Sequence, residues 1–252
     1  MFEKVEKIVE NAGEILINNL KGNYNTYSKK DKHDIVTEID MKIQDYLKNE
    51  LMKLTPNAGF LAEERGNTDK PKENNYWVID PIDGTVNFSR GFPENCISVS
   101  YVENDEPVFG LIDSPQMSIK FLSIKGKGLF INGEKQTPRW SKTLGDSMIT
   151  IGANKKEMAN FINILSDKVM RIRLIGSAAI MGAYVASGYA DAFIFSKSNS
   201  WDIAAAYSMI KEVGGEVYNF DGEDADIFSK RIIFSSKYIK DDLIKLIKKL
   251  EE

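Results

Sequence analysis

Apolar side chains at three- and four-residue spacing open the chain. Phe2, Val5, Ile8, Val9, Ala12, Ile15, Leu16 and Leu20 fall on one face and predict an amphipathic helix over residues 2–20. A polar stretch through residue 34 predicts a loop. Ile39, Ile43, Tyr46, Leu47, Leu51 and Leu54 then resume helical spacing, so a second helix is expected over 37–54, ended by Pro56. Residues 65–75, rich in Gly, Asn, Asp, Lys and Pro, read as a surface loop.

From there the pattern becomes strand-like. Residues 76–79 form a short apolar strand interrupted by Asp80-Pro81. Residues 97–102, 107–112 and 119–123 follow, separated by Asn104-Asp105 and Ser114-Pro115, with Asn132-Gly133 as a turn dipeptide beyond them. After about residue 140, β-type runs (147–151, 171–174, 192–195, 216–218, 232–234) alternate with helical stretches at 155–166, 177–187, 202–213 and 238–250. The expected fold class is α+β. An antiparallel α+β half (1–140) precedes an α/β half (141–252), the two forming one compact unit.

Composition narrows the chemistry. The 252 residues suffice for a substantial core, and 42% hydrophobic with 28% charged residues is ordinary for a globular protein. A net charge of -4 argues against a broad nucleic-acid-binding face, so no nucleic-acid partner is expected. The single cysteine, Cys96, excludes an intramolecular disulfide and Cys-based zinc sites and reads as a buried thiol. The only histidine, His33, sits in a polar run with Lys29, Lys30, Asp31, Lys32 and Asp34, a poor base for Ser-His-Asp catalysis. Carboxylates, hydroxyls and metals remain. Glu3, Lys4, Glu6, Lys7 and Glu10 interrupt any apolar signal segment, and no run approaches the roughly 18 apolar residues of a membrane span. A cytoplasmic location without membrane contact is expected.

The most informative stretch is Trp77-Val-Ile-Asp80-Pro81-Ile82-Asp83-Gly84-Thr85. Asp80 and Asp83, after a strand and before a glycine, can converge on one point. Gly84 allows close approach of a ligand, and a helix beginning near Thr85 would offer N–H groups to an anion. Hard cations beside a phosphate cradle suit phosphoryl chemistry. The plain alternative is a turn in which Asp83 caps a helix.

At these residues the chain resembles the inositol monophosphatase family, which includes fructose-1,6-bisphosphatase-like and nucleotide-phosphate phosphatases. Asp80-Pro-Ile-Asp-Gly-Thr85 looks like its central metal motif, Leu61-Ala62-Glu63-Glu64 like its upstream acidic motif, and Asp34-Ile-Val-Thr37-Glu-Ile-Asp40 like its N-terminal motif. The segment from Gly110 to Gly133, with Gly126-Lys-Gly128, resembles its middle β region. Gly176-Ser-Ala178, Trp201-Asp202-Ile-Ala-Ala205 and Glu212-Val-Gly-Gly215 follow in the family's order. The similarity covers nearly the whole chain.

The resemblance implies a layered αβαβα sandwich and a magnesium-dependent, lithium-sensitive phosphomonoesterase, with a homodimer as the family expectation. It further implies two to three Mg2+ ions. Glu63, Asp80 and the main-chain carbonyl of Ile82 would hold the first, and Asp80, Asp83 and Asp202 the second, with a weaker third near Glu63. Thr85 and Asp40 would take the proton from the attacking water. Gly84 and Thr85 would hold the phosphate, and Gly176, Ser177 and Ala178 would meet the organic part of the substrate. Asp40 and Asp202 also read as helix-start residues, Asp202 as an N-cap, Ser177 equally as the N-cap of a helix start, and Glu64 as packing or support.

The expected substrate is a small phosphorylated metabolite, inositol monophosphate or a similar sugar or polyol phosphate. Fructose 1,6-bisphosphate, NADP, histidinol phosphate and 3′-phosphoadenosine nucleotides are alternatives, as is a non-catalytic regulatory protein on the same fold. Phe195 stands seven positions before Asp202, where inositol phosphatases carry an acidic hydroxyl acceptor, and so leaves the substrate open. The polar segment that follows, with Lys197, reads as a solvated loop.

Overall fold

The computed structural model describes residues 1–20, 22, 25–28, 35–64 and 69–250. His33, Asp34, the polar run at 29–32 and residues 65–68 lie outside the described residues. Two sheets carry the architecture. The first runs β3 (Gly59–Ala62), β4 (Asn75–Asp83), β5 (Cys96–Glu103), β6 (Glu106–Ser114), β7 (Ile119–Ile124), β8 (Gly128–Ile131) and β9 (Glu134–Gln136), each beside the next. All neighbours are antiparallel except the edge strand β3, which runs parallel to β4.

The second sheet holds β10 (Met148–Gly152), β11 (Arg171–Arg173), β12 (Ala192–Phe195), β13 (Glu216–Tyr218) and β14 (Ile232–Ser235) in the order β11-β10-β12-β14-β13. Strand β10 is parallel to β11 and β12, while β14 is antiparallel to β12 and β13, so the sheet is mixed.

Helices α1 (Phe2–Asn19) and α2 (Glu38–Leu54) bury the apolar stripes their spacing predicts against Trp77, Ile79, Val99, Phe109 and Leu111 on one face of the first sheet. Its other face, with Cys96, Ile112 and Phe121, meets α5 (Ala178–Ser187) and α6 (Ser200–Glu212), which are covered beyond by Phe193, Ile232 and Phe234 of the second sheet. Helix α5 lies between two sheets, and every residue but Tyr184 is buried. That explains its apolar character all round. Helices α4 (Lys155–Leu165) and α7 (Lys240–Lys248) close the far side. The result is the αβαβα sandwich. Close packing depends on Gly110, where an added Cβ would stand 2.4 Å from the Ala205 carbonyl oxygen of α6.

The turn dipeptides behave as their chemistry requires. Asn104 and Asp105 adopt φ of 50° and 68° between β5 and β6, and Asn132 and Gly133 adopt 49° and 84° between β8 and β9. Such left-handed pairs match the twist of the flanking strands.

Four details differ from the sequence reading. The loop expected through residue 34 contains β1 (Thr26–Ser28), which pairs antiparallel with β2 (Ile35–Thr37). Three-residue strands are too short to show a periodicity. Asn75, placed in a loop, begins β4. That strand is not broken at Asp80-Pro81 but continues to Asp83, with a register shift from Asp80↔Ser98 to Asp83↔Cys96. Pro81 has no N–H to give to a ladder, and a bulge absorbs it. Finally, α6 starts at Ser200 with Asn199 as N-cap, so Asp202 occupies the third helical position instead of the cap.

Candidate active site

The bulge in β4 decides the site. Residues three apart on a regular strand point to opposite faces. Three residue steps on β4, from Asp80 to Asp83, oppose only two on β5, from Ser98 to Cys96. The extra residue returns Asp83 to the side of Asp80. Both line a cavity of about 190 Å3 with Glu63, Ile82, Gly84, Thr85, Val86, Gly176 and Asp202. The structure thus brings together Glu63 from the end of β3, the β4 carboxylates and Asp202 from the first turn of α6.

Each carboxylate has its own holder. Glu63 stands beside Asp80 and raises its proton affinity, and Asp80 Oδ1 accepts from the Ile82 N–H at 3.1 Å. Gln44 of α2 anchors the chain just beyond Glu63. It donates to the Glu64 carbonyl and accepts from the Glu64 N–H at 2.8 Å. Asp202 Oδ2 accepts from the Asn199 N–H at 2.9 Å. Asp83 is held by α5: the Ser177 hydroxyl donates to Oδ2 at 2.5 Å, the Ala179 N–H to Oδ2 at 2.7 Å and the Ala178 N–H to Oδ1 at 3.2 Å. Asp83 is therefore not the cap of the helix at Thr85, whose N-cap is Gly84; its oxygens accept instead from the first N–H groups of α5, whose N-cap is Ser177.

This corrects two assignments. Ser177 and Ala178, expected to meet the organic part of the substrate, are buried and turned onto Asp83. Only Gly176 of that trio lines the cavity.

Asp40 is fully buried. Its Oδ2 accepts from the N–H (2.9 Å) and the hydroxyl of Thr37 in a capping box at the start of α2. Its Oδ1 accepts from the Thr85 hydroxyl at 3.0 Å, and the same hydroxyl stands 3.0 Å from the Ile82 carbonyl oxygen. One hydroxyl hydrogen can serve only one of them at a time. Thr85 opens α3 (Thr85–Arg90), whose N-cap is Gly84 at φ 90°. An added Cβ at Gly84 would lie 3.0 Å from the Glu94 carbonyl oxygen and 3.3 Å from that of Gly176. Only glycine fits there, and the first N–H groups of the helix stay open to the cavity.

The electrostatics of the cavity are those of crowded, buried acids. Burial pushes the carboxyls of Asp80, Asp83 and Asp202 upward. The negative charges of Glu63, Asp83 and Asp202 push Asp80 further, while the Ser177, Ala179 and Ala178 donors pull Asp83 partly back. Burial raises Asp40 as well, with Glu63 adding to the effect and the Thr37 and Thr85 donors opposing it. Among the described residues, no lysine or arginine lines the cavity. Neighbouring buried carboxylates resist joint ionisation unless a cation intervenes. No group of three or more acidic, histidine or cysteine side chains among the described residues is placed to hold a metal ion. Magnesium does not require one: it binds through one or two carboxylates and keeps water or substrate oxygens for the remaining positions. The donor set, all hard oxygens, fits that ion.

Three supporting residues escaped the sequence reading. Asn87 of α3 donates to the carbonyls of Glu94 (2.7 Å) and Ile175 (2.8 Å), tying α3 to the segment before Gly176. Asn199 holds Asp202. The Cys96 thiol lies 3.8 Å from Asp83 Oδ2 and 3.7 Å from the Ser177 hydroxyl, so the buried thiol expected there backs the site. Only the Asn before Ser-Trp-Asp carried any signal, as a helix cap. Phe195 stacks on Phe193 (centroids 5.2 Å apart) and does not line the cavity.

The layered αβαβα sandwich with acidic side chains around a small cavity is the architecture of a class of phosphatases. Comparison with known proteins specifies which. The sequence pattern of the inositol monophosphatase family matches residues 2–252, and the chain belongs to that family of phosphatases. A relative from Thermotoga maritima, a fructose-1,6-bisphosphatase/inositol-1-monophosphatase, is 36% identical over 246 residues, covering 98% of this chain and 95% of that protein. The solved structure of a Thermotoga maritima IMPase aligns with a TM-score of 0.91 at 36% identity, over 97% of this chain and 95% of the other. An IMPase/NADP phosphatase complexed with Mg2+ and phosphate aligns with a TM-score of 0.86 at 26% identity, over 97% and 95%.

Proposed function

We propose that this chain is a Mg2+-dependent phosphomonoesterase for inositol monophosphate or a similar sugar or polyol phosphate. The observation that carries the reading is the convergence of Glu63, Asp80, Asp83 and Asp202 on one cavity beside the Thr85–Asp40 pair. In this reading Glu63, Asp80, the Ile82 carbonyl, Asp83 and Asp202 hold two to three Mg2+ ions. Bound there, such ions lower the pKa of a water and neutralise charge on the transferring phosphoryl group.

The protein's own groups handle the proton and the phosphate. Thr85 Oγ1 donates to Asp40 Oδ1, which leaves its lone pairs facing the cavity as acceptors for a proton of the attacking water. Burial makes Asp40 a stronger base than an exposed carboxylate, and the Thr37 box keeps it aimed at Thr85. The open N–H groups at the start of α3 suit the phosphoryl oxygens. Val86 and Gly176 on the cavity wall are the first groups a leaving alcohol meets.

A phosphate-release panel with Mg2+ tests the proposal. It should contain inositol 1-phosphate, fructose 1,6-bisphosphate, NADP, histidinol phosphate and 3′-phosphoadenosine 5′-phosphate. Release from inositol 1-phosphate, suppressed by lithium, is expected; release from none would favour a regulatory protein on this fold. The bifunctional Thermotoga relative makes fructose 1,6-bisphosphate the first alternative. The reading includes a cytoplasmic homodimer. Exposed Phe92, Met170, Leu174 and Tyr189 supply apolar surface for such contact, and light scattering reads the state directly. No described helix is long and apolar enough to cross a membrane.

A further inference from the structure

Away from the carboxylate site, a cavity of about 430 Å3 opens between the strap at 137–142, the end of α6 and the turn before α7. Arg139 and Lys142 reach it from the strap and Lys237 from the turn, and no carboxylate lines it. Among the described residues, none of these three cations stands within ion-pair distance of an acidic group. The Lys142 ammonium lies 3.4 Å from the centroid of the Tyr238 ring and the Lys237 ammonium 5.6 Å from it. Two ammonium groups thus share one aromatic ring in a protein whose net charge is -4. With three cations and no carboxylate in its lining, the concavity carries unbalanced positive charge.

The walls are fixed. Trp140 donates its indole N–H to the Val185 carbonyl at 2.7 Å, and its ring sits 3.3 Å from where a Cβ on Gly215 would be. An adjoining cavity of about 620 Å3 shares Thr137 and Arg139 and adds Lys135, extending the cationic lining. We propose that the Arg139–Lys142–Lys237 cavity is a binding site for a small phosphorylated anion, separate from the catalytic cavity, with which it shares no lining residue. The planar fork of Arg139 suits two phosphate oxygens, the lysines add point charge, and Trp140 and Tyr238 offer apolar surface to an organic moiety. The site also sits at the far ends of the two helices that begin on catalytic carboxylates. Val185 belongs to α5, whose start holds Asp83, while Val213 and Gly214 follow α6, whose first turn carries Asp202.

Calorimetric titration of the full chain with inorganic pyrophosphate, in the presence of a chelator, tests this. Without divalent ions the carboxylate cavity repels the anion, so binding there is suppressed. Saturable binding of one pyrophosphate per chain is expected. It should weaken at least tenfold in the triple variant R139Q/K142Q/K237Q and stay unchanged in a control that removes two remote charges, K53Q/K125Q. Binding should also survive Asp83→Asn. Absence of saturable binding, equal weakening in the control, or loss in Asp83→Asn would each overturn the assignment. If the triple variant melts well below the parent, Lys237→Gln alone decides, with a threefold or greater loss expected and no loss overturning it. The outcome is independent of whether the chain hydrolyses any phosphomonoester.

Discussion

The Ser177 hydroxyl donates to Asp83 Oδ2 at 2.5 Å across 94 residues of chain, joining the start of α5 to the end of β4. A cavity carboxylate is thereby aimed by a helix from the other half of the molecule. Ser177→Ala removes one of the three α5 donors to this carboxylate, and those donors are what restrain its upward pKa. Groups that orient a metal-binding side chain are typically worth 10–100-fold in metal affinity or activity. We therefore expect the half-saturating Mg2+ concentration to rise roughly tenfold or more. An unchanged Mg2+ curve would show that the hydrogen bond serves folding alone.

Asp83→Asn and Asp202→Asn should each reduce turnover by at least about a hundredfold, as expected for groups acting on the transition-state charge. Neither should unfold the chain, because each removes a buried negative charge that its neighbours oppose. Retained activity in either would remove the basis for the two-ion arrangement.

Thr85→Ala breaks the contact with Asp40 Oδ1 while leaving the cavity carboxylates in place. Proton transfer by a positioned side chain contributes roughly 10²–10⁴-fold, so kcat should fall within that range with little change in KM. Thr85→Ser, which keeps the hydroxyl, should recover most of the loss. Equal defects in both variants would assign Thr85 to packing.

Metal addition should stabilise the fold. Ligands that bind only the native state stabilise it by RT ln(1 + [L]/Kd), about 2.7 kcal/mol at a hundredfold excess over Kd. Thermal scans in chelator and in rising Mg2+ should show a climbing midpoint, and the climb should vanish in Asp83→Asn. A midpoint indifferent to Mg2+ in the parent would contradict the proposed ligand set.

Asp113 offers a pH test remote from the active site. Burial pushes its carboxyl up to about 6, with Lys120 pulling down and Glu10 pushing up. An unfolded aspartate titrates near 3.9, so between roughly pH 4 and 6 the native state holds a proton that the unfolded state has lost. The contribution of this group to stability is present in full below about pH 4 and is lost as pH rises through 6. Asp113→Asn should thus stabilise the chain by on the order of 2–3 kcal/mol relative to the parent at pH 7.5, and by much less near pH 4. Urea melts at both values check this, and a pH-independent difference would refute the burial argument.

Much of the site was legible before any coordinates. Glu63, Asp80, Asp83, Thr85 and Asp202 stand in recognisable motifs, and all five line one cavity. Asp40 was legible for a second reason, as an acidic residue in the first turn of a helix, where the structure makes it half of a capping box with Thr37. The β1–β2 hairpin was not legible, since three residues per strand carry no periodicity. The N-cap reading of Ser177 holds, and its hydroxyl accepts from the Ile180 N–H; its donation to Asp83 was not legible, because Gly-Ser-Ala-Ala at a helix start suits a substrate wall as well. Only the partner across the interface distinguishes the two.

The amino-acid order alone determined the helical and strand periods, the Asn104-Asp105 and Asn132-Gly133 turns and the oxygen-only chemistry of the acidic motifs. These follow from local spacing and side-chain type, which no later packing alters. Tertiary structure decided that a bulge at Pro81 turns Asp80 and Asp83 to the same side, that the start of α5 donates to Asp83, and that burial raises the cavity carboxyls. Proton affinity and orientation depend on desolvation and on donors brought from distant segments, so they exist only once the two sheets have closed around α5 and α6.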